Sequence, residues 1–382
     1  MKITDLRASL IKHPLPGEFH PTWGTGLVLT ELPMTLIQLE TEEGITGYGA
    51  LPANSLEGVV GVNVFIRNSL IGKDLFNTEE IGKVLRNASL RMTWPWGVEM
   101  AVWDAIGKAC GQPVYKFWGG YQDKIKIYAS LGEVRSAEER AEDALRLKEQ
   151  GFAGIKLRFR NDDPKEDLKV VEAVLKAVGD SMAIMVDANQ ADALPGSSAF
   201  REWDYATAIR VGRELQQMGV LWLEEPLPRF ELKGLQKLSD ELDIMIAGGE
   251  KNQMVHEFKM LIDNDCYDIL QGDASFSEGI FQLRKIAALA EANHKLFIPH
   301  TWCNCISLYA NLQLAASLPN CPWFEYPYEE PGWGHPANHI LFKEPFKFEN
   351  GYVHVPQSPG LGFEIDEERL KNYIVPLPEE LE

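Results

Sequence analysis

Three acidic residues stand where apolar runs end: Asp187 closes AIMVD, Glu224 closes VLWLE and Glu250 closes IMIAGGE. Three carboxylates sharing one pocket would repel each other unless a cation neutralised them. Hard oxygen ligands on rigid strands suit Mg²⁺, which leaves positions open for water and substrate oxygens. The bland reading is three unrelated solvated acids. Glu225 is the competitor to Glu224, but strand alternation should turn it to the other side.

Basic groups flank these acids. Lys156-Leu157-Arg158 ends an earlier apolar run, and a period of two puts both cations on one face. They require an anion, supplied either by a substrate or by the nearby carboxylates. Further along, Asp273 and His300 each end a run, one β-α unit apart. An Asp bonded to one imidazole nitrogen fixes the tautomer and raises the basicity of the other, which makes His300 a general base. Glu325 ends a further run, as a hydrogen-bond donor to a carboxylate if protonated or else as a structural acid.

The elements that must hold these residues follow from texture. Strand candidates run at 125–130, 154–159, 183–189, 220–225, 244–250, 267–273, 296–300 and 323–326. Amphipathic stretches at 137–151, 164–179 and 279–294 lie between them. Eight strands with seven helical connections predict an α/β fold, a parallel barrel of the (β/α)₈ type. Right-handed crossovers place all strand C-termini on one face. Residues 1–13 and 35–49 alternate as a strand meander, and 97–111 reads as a helix stopped by Gly111 and Pro113. The expected domains are 1–122, an α+β cap, with 347–382 packing back on it, and 123–346, the barrel. The segment 13–26, rich in Gly, Pro and aromatics, reads as an irregular lid, with 50–60 a second candidate. His20 and Trp23 are then expected at the distal end of the substrate. Asn189 is a further substrate contact, and Trp302 is placed either to line the pocket or to fill the core.

Composition narrows the function classes. Across 382 residues the formal net charge is −19, which disfavours nucleic acid and anionic membrane as partners. No run approaches the ~20 apolar residues of a membrane span. The N-terminus lacks a secretory apolar run, and the five cysteines lack zinc-ribbon spacing. Cytoplasmic residence is expected.

Taken in order, these residues resemble the enolase superfamily, within it the mandelate racemase-like group. The likeness covers MKITDL, Gly47-Tyr48-Gly49, AVWDAIGKACGQPVYKFWGG and Lys156-x-Arg158. It continues through Asp187-Ala-Asn189, Glu224-Glu-Pro226, Gly-Gly-Glu250, Asp273 with Gly279, His300 and Glu325. The resemblance implies a (β/α)₇β barrel under a cap and one Mg²⁺ per subunit on Asp187, Glu224 and Glu250. It implies a metal-stabilised enediolate formed after α-proton removal, a His300–Asp273 dyad, Glu325 on the substrate carboxylate, and a homo-oligomer. Racemases of this group carry Lys-x-Lys, whereas here the second position is Arg158, a poor base. Elimination needs only one strong base. The expected activity is therefore dehydration of a small anionic sugar acid, an aldonate or aldarate, to a 2-keto-3-deoxy acid. Lys156 would neutralise the substrate carboxylate and the forming enediolate. Epimerisation or cycloisomerisation is the alternative, and a non-catalytic metal-stabilised sugar-acid-binding barrel is a second.

Overall fold

Alternation near the N-terminus becomes a three-stranded antiparallel sheet: β1 (Ile3–Phe19), β2 (Leu29–Thr41) and β3 (Thr46–Leu51), in that order. The structure is a computed structural model and describes residues 1–24, 26–52, 56–191 and 202–377. Three residues of the second lid candidate, 53–55, lie outside the described residues, as does Thr25 of the first. Gly44, at φ 77°, makes the turn between β2 and β3. The helix Gly97–Cys110 lies against β3 so closely that a Cβ on Gly49 would come within 1.9 Å of the Gly97 carbonyl. It ends at Gly111, in the left-handed region at φ 65°.

One expectation fails here. Residues 13–19 belong to β1 rather than to an irregular lid. β1 is an edge strand, where proline is tolerated, and a register shift between Pro14 and Phe19 absorbs Pro16 and Gly17. Buried Leu15 and Phe19 anchor this extension.

The barrel strands are β4 (Lys124–Ser130), β5 (Gly154–Arg158), β6 (Ala183–Asp187), β7 (Trp222–Glu224), β8 (Met245–Gly248), β9 (Ile269–Leu270), β10 (Leu296–Phe297) and β11 (Trp323–Pro327). Neighbours pair in parallel from β4 through β10, and β11 returns to pair in parallel with β4. A long helix follows each of β4 through β10, whereas the helix next after β11 is the four-residue His335–Asn338. This is the (β/α)₇β arrangement. Local chemistry marks the helix starts: Ser136 caps Ala137–Glu149 in a reciprocal capping box with Glu139.

Inside the barrel, Tyr128, Met185, Trp222, Ala247, Ile269 and Ile298 form one buried apolar layer. Met185 and Trp222 lie two residues before Asp187 and Glu224, so the same strand faces that fill the barrel carry the acids above the layer. Removing the Trp222 side chain would cost about 3–5 kcal/mol.

The tail departs in part from expectation. β12 (Phe348–Glu349) and β13 (Tyr352–His354) form a hairpin on the barrel, with β13 antiparallel to β4. Only later residues reach the N-terminal sheet: Val375 N donates to Leu10 O at 2.9 Å and Tyr48 Oη to Glu367 at 2.9 Å. β4 has a free edge below its pairing with β5, and the hairpin covers it. Among the described residues no helix is long and apolar enough to cross a membrane.

Candidate active site at the barrel mouth

Register places the first set of groups. Arg158 pairs with Asp187 and Asp187 with Glu224 across adjacent strands, so the three form one rung. Lys156 lies one inward-facing position below it, fully buried. Its ammonium stands 2.6 Å from Glu224 Oε1, 2.7 Å from Glu325 Oε1 and 3.8 Å from Asp187 Oδ2. Arg158 Nη1 pairs with Asp187 Oδ2, and its Nε donates to Leu131 O at 2.6 Å. The other oxygen of Glu224 accepts from Gln271 at 2.7 Å and from the Trp222 indole at 3.2 Å.

A second set hangs beyond the short strands β8, β9 and β10. His300 Nδ1 meets Asp273 Oδ2 at 2.9 Å, and its Nε2 meets Glu250 Oε2 at 3.0 Å. Asp273 is fixed in turn, since its Oδ1 accepts from Ser275 N at 2.6 Å. Lys251 Nζ holds Glu250 Oε1 at 3.0 Å and lies 3.8 Å from the centre of the Phe276 ring.

Charge in this water-poor space shifts the titrations. Burial, then the charge of Glu224, pushes Asp187 up to about 7. Burial, then Glu250 and Asp187, drives Glu225 well above the usual carboxylate range. Burial opposes charge on Glu325, yet Lys156 and His300 bring it down to about 2. Both its oxygens face donors, Oε1 meeting Lys156 at 2.7 Å and Oε2 accepting from Thr301 N at 2.7 Å. Burial likewise opposes charge on His300, but Glu250, Glu325 and the bond to Asp273 raise it to about 10.

These groups border a cavity of about 160 Å³, with Arg158, Asn189, Glu250 and His300 on its wall. A larger recess of about 950 Å³ opens at the opposite end of the barrel, but none of the candidate residues lines it. Trp23 and Trp302 close the cavity from above. Trp302 stacks on Phe19 at 5.6 Å, meets Trp23 at 5.0 Å, and ties its indole to Ser130 at 2.7 Å. The Arg158 guanidinium sits 5.4 Å from the Trp23 ring. A Cβ on Gly132 would strike the Phe19 ring at 2.6 Å, so that glycine lets the cap strand reach the rim. Two bonds latch the segment: Thr22 N donates to Gly132 O at 2.9 Å and His20 N to the Glu133 carboxylate at 2.7 Å.

His20 itself is not brought to the site. Its imidazole is largely exposed, 3.5 Å from Glu18, because the backbone of the segment and not this side chain faces the barrel. Glu225 is the reverse case. β7 ends at Glu224, alternation stops there, and Glu225 at φ 46° turns back to border the cavity. Asn189 shares this left-handed conformation at φ 47°. Such backbone in non-glycine residues costs about 1–3 kcal/mol each and gathers at functional sites. Sequence reasoning also passed over Arg160, Lys251 and Phe276 on the cavity wall. For Arg160 the signal existed: Lys156-x-Arg158-x-Arg160 simply continues the alternation.

The acids suit a hard cation. Asp187, Glu224, Glu225 and Glu250 repel one another strongly enough to raise two of them, even with Lys156, Arg158 and Lys251 beside them. A divalent cation with oxygen preference would relieve that repulsion. Among the described residues no three His, Cys, Asp or Glu side chains stand at metal-binding spacing. Three of the four are turned to nitrogens: Asp187 to Arg158, Glu224 to Lys156, Glu250 to His300 and Lys251. Metal binding at this site would exchange those partners.

A (β/α)₇β barrel, capped at its C-terminal mouth and carrying acids on successive strands between a buried lysine and a His–Asp pair, defines an enzyme of the enolase type. Residues 139–369 match the family described as enolase C-terminal domain-like, and residues 20–119 match the mandelate racemase / muconate lactonizing enzyme N-terminal domain. The chain belongs to the enolase superfamily, in its mandelate racemase / muconate lactonizing group. It is 30% identical to arabinonate dehydratase of Saccharolobus solfataricus, over 90% of this chain and 92% of that one. It is 27% identical to D-galactarolactone cycloisomerase of Agrobacterium fabrum, over 99% and 100%. The structure of L-talarate dehydratase from Polaromonas sp. JS666, complexed with Mg and L-glucarate, superposes with a TM-score of 0.85 at 27% identity, covering 98% of each chain.

Proposed function

We propose that this chain is a Mg²⁺-dependent hydro-lyase that dehydrates a sugar acid to a 2-keto-3-deoxy acid, with one Mg²⁺ per subunit held by Asp187, Glu224 and Glu250. The observation that carries it is His300, on the cavity wall, bonded to Asp273 through one nitrogen and meeting Glu250 with the other. Bound Mg²⁺ would supply the positive charge that a carboxylate substrate needs as its α-proton leaves.

The chain's own groups do the rest. His300 Nε2 takes the α-proton once Glu250 has released it, while Asp273 keeps the ring in the required tautomer and orientation. The imidazolium then lies on the face of the substrate from which it took the proton, placed to return it to the departing β-hydroxyl. Lys156, charged and fixed by Glu224 and Glu325, offsets negative charge building on the substrate's carboxyl oxygens. Glu325 thus acts by positioning Lys156. Trp23 and Trp302 exclude water, and Asn189 contacts substrate from the cavity wall.

Arg158 decides between elimination and two-base racemisation. It is fully buried, paired to Asp187 and pushed further up in pKa by Asp187 and Glu224 against the effect of burial. A guanidinium held this way does not remove a proton, so at this position the second base of a racemase is missing. Cycloisomerisation also needs only one base, and a cycloisomerase stands among the relatives. Incubation with Mg²⁺ and a panel of sugar acids, followed by semicarbazide detection of 2-keto-3-deoxy products, separates the readings. Product supports dehydration. A new lactone or epimer in its place, with solvent deuterium at the α-carbon, supports the isomerase. Absence of both product and exchange overturns catalysis on sugar acids.

A further inference from the structure

Three cations border the cavity: Arg158, Arg160 and Lys251. Arg158 is committed to Asp187, and Arg160 Nη1 donates to Asn189 O at 3.2 Å. Lys251 is built differently. Its backbone is fixed in the tight turn Gly249–Asn252, closed by Asn252 N to Gly249 O at 3.1 Å and braced by Arg229 Nη1 on Lys251 O at 2.7 Å. About a third of its side chain is open, on a residue that lines the cavity. The ammonium rests over Phe276 and pairs with Glu250 Oε1 at 3.0 Å, with Glu225 and Asp273 adding their charge from further off. An ammonium has three donors, so one carboxylate oxygen leaves donor capacity facing the space a substrate would fill. The other oxygen of Glu250 holds His300, so Lys251 and His300 stand on opposite sides of one carboxylate. Both line the same cavity, so a molecule that meets His300 Nε2 there also borders the space that Lys251 faces.

We propose that Lys251 reads the end of the substrate remote from the reacting carboxylate, and that this end is itself a carboxylate, so that the substrate is an aldarate and not an aldonate. The inference rests on the sugar-acid reading above and narrows it. A terminal hydroxyl is served by neutral groups such as Asn189. A cation held in an aromatic-walled cavity is costly to desolvate, and an anion offsets that cost while a hydroxyl does not. Sites built around a charged or polar contact reject the analogue that lacks it far more strongly than apolar pockets reject a shape change.

The test compares matched substrates. Each six-carbon aldarate of a panel (galactarate, glucarate, mannarate) is assayed against the aldonate of the same configuration, which differs only in bearing CH₂OH at the far end. Wild type, Lys251→Met and Lys251→Arg are used with Mg²⁺, after each is shown to melt as a folded protein. The wild type is expected to favour the diacid in kcat/KM. Lys251→Met should lower kcat/KM for the diacid by about thirtyfold and for the monoacid by less than about threefold, and Lys251→Arg should recover most of the loss. Equal losses on both members of a pair would overturn the proposal, because Lys251 would then act through Glu250. A wild type that prefers the monoacid also overturns it. If the wild type turns over no sugar acid, the dehydratase reading fails. Calorimetric titration with the same pairs then decides the role of Lys251 alone: tighter diacid binding, lost in Lys251→Met, upholds it, and equal binding sinks it.

Discussion

The two halves of the barrel mouth hold their chemistry in different ways. On one side Arg158, Asp187 and Glu224 end strands that pair in register, with Lys156 locked beneath them. On the other, β9 and β10 are two residues long, and Glu250, Asp273 and His300 lie past the strand ends on turns. The first half is positioned by backbone ladders and the second by side-chain clamps such as Ser275 N on Asp273. The laddered half holds the cations Lys156 and Arg158, and the clamped half holds the titratable imidazole beside Lys251. Groups that only stabilise charge can be rigid, whereas a group that takes a proton must change partners as it works.

This contrast can be broken at several points. The largest effect is expected on the clamped side. His300→Asn should lower kcat by about 10³-fold or more while leaving Mg²⁺ affinity, read by calorimetry, within about threefold of wild type. Surviving turnover would remove His300 from the proton transfer. Lys156→Met tests the laddered side through stability, because it strands Glu224 and Glu325 as buried charges. Urea unfolding should show a loss of about 3–5 kcal/mol, and a loss below about 1 would mean that the ladder does not depend on its cation.

Glu99 probes how the cap supports the clamped half. It lies buried on the helix Gly97–Cys110 and accepts from Phe281 N at 3.3 Å, just past the β9 loop. Burial raises it to about 8, with Glu278 adding repulsion and Lys285 and Arg86 opposing it. Its folded pKa lies above the unfolded carboxyl value of about 4.3. The stability it lends is therefore complete below that pH and is lost as pH rises through about 8. Glu99→Gln should match wild type at pH 4 and exceed it at pH 8 by on the order of 3 kcal/mol, in melting curves taken across that range. A constant difference would assign Glu99 no titration. Asp273→Asn should cost between about tenfold and a hundredfold in kcat with little change in melting, since it misorients a base that is still present. His20→Ala, at the exposed edge of the lid, should change kcat/KM by less than about twofold. A larger loss would place that imidazole closer to the substrate than its pairing with Glu18 implies.

The laddered half was the more legible in the sequence, for the same reason that it is rigid. Period-two alternation carries Lys156, Arg158, Asp187 and Glu224 to one face, and the strands run to those residues without interruption. The clamped half was found at Asp273 and His300 by residue type, although the strands that seemed to reach them stop three residues earlier. Alternation turns Glu225 to the other face and says nothing of Lys251, because it ceases where the strand does and backbone turns decide where such side chains go. The cap reads well where hydrophobic pattern governs it, as in β2, β3 and the helix ending at Gly111. The extension of β1 through Pro14 and Pro16 was hidden because composition suggests a loop, whereas contact with the barrel rim makes it a strand.

The apolar layer of Tyr128, Met185, Trp222, Ala247, Ile269 and Ile298 has a consequence for where protons travel. It seals the barrel from below, so a proton taken by His300 has no exit through the floor. Trp23, Trp302 and Phe19 pack together over the cavity, and Lys251 stands partly open at its wall. The aromatic cover and the space beside Lys251 therefore govern how the proton on His300 meets solvent. Elimination carries a label from the substrate's α-carbon off as water, which mixes with the solvent, whereas return to carbon leaves it in recovered substrate or isomer in competition with solvent protons. The label kept there reads how often the cover opens while the molecule is bound.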